Sequence, residues 1–197
     1  MQMKWKLHDI PDLTGKTAIV TGGNSGIGYH TVLELARKGA GVWMAVRSLE
    51  RGNAALKQIQ VLVPNAEVRV VELDLSDLDS VRAFAAAFLA ENRTLDILVN
   101  NAGVMALPKR ETTPDGFEMQ VGTNHLGHFA LTGLLLPALK TASTSRVVTV
   151  SSLAAKSVRK LEDYMAEATY APMDAYAKSK VSNLLFAFEL ARRCHNS

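Results

Sequence analysis

A single cysteine, Cys194, in 197 residues leaves no partner for an internal disulfide and no cysteine cluster for a metal, a usage suited to a reducing cytoplasm. The opening MQMKWKLHDIPDL has no uninterrupted apolar core of signal-peptide length. Apolar runs stay short elsewhere too: LTGLLLPAL, residues 131–139, falls well below the roughly 20 residues that cross a bilayer, so no integral membrane segment is expected. Charge of one sign never accumulates. The 22 basic and 19 acidic residues are interspersed, and without a run of five like charges the net +3 gives no tail for nucleic acid. Repeats, Gly/Ser linkers and low-complexity tracts are absent, which leaves residues 1–197 as a single expected domain.

What is present is apolar residue, 48% of the chain, arranged in a rhythm. Short β-branched runs at 16–21, 41–46, 67–73, 95–100 and 146–151 alternate with helical periodicity at about 27–38, 49–62, 78–91, 117–139 and 174–193. Strands apolar on both faces, joined by helix-length connections, predict an α/β fold: a doubly wound parallel sheet in three layers with right-handed crossovers. The one long irregular stretch, 153–173, separates the fifth strand from the last helix.

The first strand runs into TGGNSGIG, residues 21–28. Gly22 allows a sharp turn, Gly26 lets the backbone approach a pyrophosphate, and Gly28 permits close packing of helix on strand. The helix N-terminus that follows offers free N–H groups and a positive dipole end to phosphate. Tyr29 stands where a P-loop needs lysine, and Ile27 stands where a nucleophile elbow needs its second glycine, so both of those readings are excluded.

The spacing G-x-x-x-G-x-G after Thr21 resembles the cofactor turn of the short-chain dehydrogenase/reductase family, whose members have a Rossmann fold and transfer hydride with a nicotinamide cofactor. The resemblance covers nearly the whole chain. LVNNAG (98–103), LDL (73–75), TNHLGHF (123–129), TVSS (149–152) and YAKSK (176–180) match the family's further segments in order. NHLGHFALT and SKVSNLLFAFELARR look most like the retinol dehydrogenase and protochlorophyllide reductase-like branch. The match implies cofactor binding by Gly22, Asn24, Ser25, Gly26, Ile27, Gly28, Asp74, Leu75, Asn101, Ala102 and Gly103, together with Tyr176 and Lys180.

Arg47 follows the second strand, where an NAD-selective Rossmann protein would carry an acid for the ribose hydroxyls. A guanidinium there can pair bidentately with a 2′-phosphate, so NADP(H) is expected over NAD(H). Tyr176 and Lys180 stand four apart and share one helix face, where an ammonium favours the phenolate. In the family's mechanism such a tyrosine is the general acid/base. The resemblance further implies that Lys180 tunes Tyr176 and binds the nicotinamide ribose, that Ser152 holds the substrate oxygen, and that Asn124, at a helix interruption, completes a water-linked proton path. Ser151 is set below Ser152 because adjacent strand residues face opposite ways. His125 and His128 lack a nearby carboxylate or cysteine to complete a metal set and are expected to pack or hydrogen-bond. No triad signature surrounds Ser152 as a nucleophile.

Family members normally continue past the Tyr-Lys helix with another parallel strand, a Pro-Gly loop over the nicotinamide, a mobile lid and a final strand. Here only CHNS follows. The fold is therefore expected to lack its usual C-terminal strands and lid and to leave an unpaired edge on the fifth strand, which self-association would cover. The function expected is interconversion of a small apolar carbonyl and its alcohol; the alternative is a catalytically incompetent NADP(H)-binding module or a fragment of a longer reductase.

Overall fold

The computed structural model describes residues 6–194. The first five residues of the N-terminal stretch and the final HNS therefore lie outside the described residues. Strands β1 (Thr17–Thr21), β2 (Gly41–Val46), β3 (Val68–Glu72), β4 (Ile97–Asn100) and β5 (Arg146–Thr149) form one parallel sheet in the order β3-β2-β1-β4-β5. The order reverses at β1: the chain steps outward to β2 and β3, then returns to pair β4 on the other side. Ile19 lies opposite both Trp43 and Leu98 in register.

Period-two alternation along β1 divides the core into two layers. Ile19, with Trp43 and Leu98, packs against Phe84, Phe88, Leu131 and Leu135. Ala18 and Val20, with Met44 and Val99, pack against Val32, Leu33, Ala36 and Ile59. These partners come from α1 (Gly26–Arg37) and α2 (Leu49–Leu62) on one face and α3 (Leu78–Glu91) and α5 (Gly127–Thr141) on the other. The three-layer Rossmann arrangement expected from the sequence is thus the one observed. Local signals start the helices: Asp77 Oδ1 accepts the Asp79 and Ser80 amides at the head of α3, and Ser48 Oγ accepts the Arg51 amide at the head of α2.

The predicted helix 117–139 is not regular. Short α4 (Met119–Val121) passes into a π turn, Gly122–Leu126, before α5 begins, so the interruption expected at Asn124 is an inserted residue in the helical ladder. The last helix, α6 (Pro172–Cys194), starts two residues earlier than its periodicity suggests. The stretch 153–173 is ordered at both ends: a 3-10 turn spans Leu153–Ser157, and the Asp163 carboxylate collects the amides of Glu167, Ala168 and Thr169.

Among the described residues β5 pairs with β4 alone, as expected for an edge, and its Val148 is 49% exposed. Among them, too, no helix is long and apolar enough to cross a membrane.

Gly127 sets how closely α5 approaches the sheet, because a Cβ there would run into the Leu75 carbonyl. Helix propensity alone favours alanine over glycine by about 1 kcal/mol, but a clash with fixed backbone costs about 1–3 kcal/mol or more. Gly127→Ala should therefore lower the urea midpoint despite its better propensity; an unchanged or raised midpoint would show that α5 has room to move.

Candidate active site

A cleft of about 510 Å³ opens at the C-terminal ends of the strands, where the strand order reverses. That is the place at which open α/β sheets bind ligands. Its floor is the glycine turn. Gly22 (φ +65°) and Gly26 (φ +53°) hold left-handed backbone that carries the chain from β1 into α1. A Cβ on Gly28 would strike the Gly22 carbonyl, so the turn closes only around glycine. Asn24, Ser25, Ile27 and Gly28 line the cleft, and Gly26 shapes the turn without lining it. Ile27 is 70% exposed there. Backbone N–H groups at the head of a twelve-residue helix, where Gly22 and Gly28 leave the backbone bare, fit a dinucleotide pyrophosphate.

The second wall is Asn101, Ala102 and Gly103, just past β4, and it is tied to the first by one hydroxyl. Thr21 Oγ1 accepts the amides of Asn101 at 2.9 Å and Ala102 at 3.0 Å, and Asn101 Nδ2 donates back to the Thr21 carbonyl at 2.8 Å. Thr21 Oγ1 also lies 2.8 Å from His128 Nε2, while His128 Nδ1 is 2.9 Å from the Asn124 carbonyl. That carbonyl can only accept, so Nδ1 carries the proton and Nε2 accepts from the Thr21 hydroxyl. Burial holds the His128 imidazole down to about 4, with the positive charges of Lys180 and His125 pushing the same way and the bond to Asn124 opposing. His125 Nδ1 pairs with Asn183 Oδ1 at 3.1 Å. The two histidines hydrogen-bond, as expected; among the described residues no group of His, Cys, Asp and Glu could hold a metal ion.

At the far end the cleft is lined by Arg47, Asp74 and Leu75. Asp74 Oδ1 accepts the Ser76 amide and hydroxyl. Arg51, in the first turn of α2, joins Arg47 there, a residue that sequence reasoning missed. The available signal was RSLER, two arginines flanking the helix cap at Ser48.

The near end gathers Ser152, Tyr176 and Lys180. Lys180 is 4% exposed; burial lowers its ammonium below the ordinary value, and Nζ donates to the Val150 carbonyl at 3.3 Å. Nζ sits 5.7 Å from the Tyr176 ring centre, so the pair shares one face of α6. Ser151 commits its hydroxyl to the Lys180 carbonyl at 2.6 Å. Ser152 Oγ accepts the Ala154 amide at 3.2 Å and keeps its proton for another acceptor. Asn124 does not line the cleft. Its side chain clamps Val104, taking the amide at 2.7 Å and giving to the carbonyl at 2.9 Å, and reaches Ser179 Oγ at 2.9 Å. The arrangement brings two hydroxyls, of Ser152 and Tyr176, and a buried ammonium together at one end of the cleft.

A family model described as short chain dehydrogenase matches residues 16–192. The chain is 50% identical over 186 residues to human retinol dehydrogenase 11, covering 94% of this chain and 58% of that protein. It is 48% identical to human retinol dehydrogenase 13, covering 94% and 56%. The chain thus spans a little under three fifths of these curated relatives. Among solved structures, an uncharacterised protein from Mycobacterium paratuberculosis superposes with a TM-score of 0.85 at 48% identity, over 98% of this chain and 67% of that one. A metagenomic short-chain oxidoreductase in complex with NADP gives 0.78 at 28%, over 94% and 79%.

Between pH 6.5 and 4 the unfolded chain protonates residue 128 while the folded chain does not. The stability owed to neutral His128 is complete above pH 6.5 and is lost as the pH falls toward 4, by up to about 3 kcal/mol. Urea midpoints should drop steadily across this window, and His128→Gln should flatten the slope. An equally steep slope in the variant would assign the acid sensitivity elsewhere.

Proposed function

Because this chain belongs to the short-chain dehydrogenase family, we propose that it is an NADP(H)-dependent oxidoreductase interconverting an apolar carbonyl and its alcohol, with Tyr176 as general acid/base. The observation that carries the reading is the convergence of Ser152, Tyr176 and Lys180 at one end of the cleft whose floor is the glycine turn. The nicotinamide, when bound, supplies or accepts the hydride. In the reducing direction the Ser152 hydroxyl donates to the carbonyl oxygen and holds it beside Tyr176. Tyr176 passes its phenolic proton to that oxygen as the carbonyl carbon gains hydride, and the Lys180 ammonium stabilises the phenolate left behind. Asn124 would join a water-linked proton path to Lys180 only through its backbone carbonyl, which already accepts from His128 Nδ1, since its side chain is committed to Val104 and Ser179.

Preference for NADP(H) is supported by two guanidiniums at the adenosine end, Arg47 and Arg51. Residues 1–197 are read as one nucleotide-binding domain at work in a reducing cytoplasm. Phe129, Leu185 and Phe188, each more than half exposed on α5 and α6, support self-association. A second reading rests on the share of the relatives' length that the chain spans and on the open edge of β5: a module that binds NADP(H) without turnover, or a piece of a longer reductase.

Tyr176→Phe should cut carbonyl reduction about 10²–10⁴-fold while NADPH affinity, read by fluorescence, stays within about twofold. An unchanged rate with the cofactor still bound defeats the acid/base assignment. NADPH binding with no turnover on any aldehyde or ketone favours the second reading. Arg47→Asp should weaken NADPH at least about tenfold and NADH by less than about threefold; equal affinity of the unmodified protein for both nucleotides would remove the preference.

A further inference from the structure

Gln120 is fully buried in α4, and a buried amide is costly unless each of its arms is paired. Every arm is. Oε1 accepts the Ala106 amide at 2.7 Å, and Nε2 donates to the Pro172 carbonyl at 2.9 Å and to the Tyr170 hydroxyl at 3.1 Å. Tyr170 in turn donates to the Leu107 carbonyl at 2.7 Å. The amide has only one orientation here: turned over, it would set donor against the Ala106 N–H and acceptor against the Pro172 C=O.

The segment it grips is strained. Ala106 has φ +53°, a left-handed conformation that a residue with a Cβ keeps only when its surroundings impose it. Bonds to Gln120 and Tyr170 impose it from both sides of the peptide joining Ala106 to Leu107. Directly before it lies Met105, 62% exposed and lining the cleft with Val104, Ser152 and Tyr176. The other end of the network is Pro172, the first residue of α6, one turn ahead of Tyr176. Gln120 thus joins the wall of the cleft to the helix that carries its hydroxyl acid. Nothing in this network touches the glycine turn or the Thr21 junction, which hold the nucleotide end through their own bonds.

We propose that Gln120 is a positioning residue that fixes the Val104–Met105 wall against Tyr176 and so determines which carbonyl substrate the cleft admits. The proposal rests on the oxidoreductase reading of this cleft and adds to it a determinant of substrate fit that is separate from cofactor binding.

The test measures steady-state kinetics with NADPH and aldehydes of increasing chain length, NADPH affinity by fluorescence, and backbone amide exchange over residues 104–108. In Gln120→Leu, KM for the best aldehyde should rise about tenfold with kcat within about threefold, NADPH affinity should hold within about twofold, and exchange of the segment should quicken about tenfold. Adding Ala106→Gly should recover part of the KM, since glycine adopts the left-handed turn without help. Tyr170→Phe, which removes the bond to Leu107 and the one from Gln120 Nε2 but leaves the Gln120 bonds to Ala106 and Pro172, should raise KM by about threefold and keeps the proposal testable if Gln120→Leu does not fold. Unchanged KM and exchange in these variants overturn the proposal, as does a KM rise matched by an equal loss of NADPH affinity. If the unmodified protein reduces no aldehyde, the oxidoreductase reading fails; exchange over 104–108 then decides the positioning of the wall, faster exchange in Gln120→Leu upholding it and equal exchange overturning it.

Discussion

One hydroxyl holds the end of β1 to the end of β4. Thr21 Oγ1 fills both lone pairs with the amides of Asn101 and Ala102 and gives its proton to His128 Nε2. The chain leaves β1 through left-handed glycines, with the Gly22 amide on the Ala45 carbonyl of β2, and leaves β4 through Asn101–Gly103, whose first two amides turn to the Thr21 hydroxyl. Fixing both to the same oxygen sets the two exits at one height, and the crevice at the strand-order reversal is the space between them. A β-branched residue without the hydroxyl would fill the same volume yet strand two amides and an imidazole nitrogen, each at about 1–3 kcal/mol. The junction therefore carries the shape of the nucleotide end.

The near end is built differently. There the backbone is positioned by long polar side chains reaching across the sheet's end: Asn124 on Val104, Gln120 on Ala106, Tyr170 on Leu107, Ser151 on Lys180. Gln120 and Asn124 stand four apart across the junction of α4 and the π turn, and both reach the segment that leaves β4. His128 then joins the two ends, holding Thr21 with one nitrogen and the Asn124 carbonyl with the other. The floor is thus set by backbone and one hydroxyl, and the near wall by side-chain amides and a phenol.

The parallel strands were legible because burial on both faces leaves runs such as AIV and VWMAV with no alternation to confuse them. The placement of the glycine turn and of the Tyr176–Lys180 pair on one cleft was legible because each rests on local spacing. The π turn was not: a single inserted residue shifts helical phase without breaking an apolar run, so 117–139 reads as one helix. His128 reads as a packing histidine because its partner Thr21 lies 107 positions away. Arg51 escaped because a charged residue on the first turn of α2 looks like solvated surface until β2 and β3 are seen to end beside it. Ala106 gives no hint of its left-handed backbone, since the conformation belongs to Gln120 and Tyr170 and not to alanine. Strand alternation sets Ser152 over Ser151, but β5 ends at Thr149 and both serines line the cleft; what separates them is the commitment of the Ser151 hydroxyl to the Lys180 carbonyl.

What fixes α6 decides whether the open edge of β5 matters to the cleft. If α6 were held by packing against a strand beyond β5, Tyr176 and Lys180 would drift without one. The bonds say otherwise. Ser151 ties the Lys180 carbonyl, Asn183 Nδ2 and Lys180 Nζ both reach the Val150 carbonyl, Asn124 takes Ser179, and Tyr164 takes Ser182 at 2.7 Å. These tethers come from the end of β5, the π turn and the 153–173 stretch, all inside the described residues; the Asn124–Ser179 bond is buried and the others are part-buried, where a lost partner still carries a cost. Val148, 49% exposed, lies on the face of β5 opposite Val147, and Val147 packs on the layer of α3 and α5. The open edge thus bears on what covers the sheet, while the spacing of Tyr176 and Lys180 from the cleft is set by polar bonds that do not pass through it.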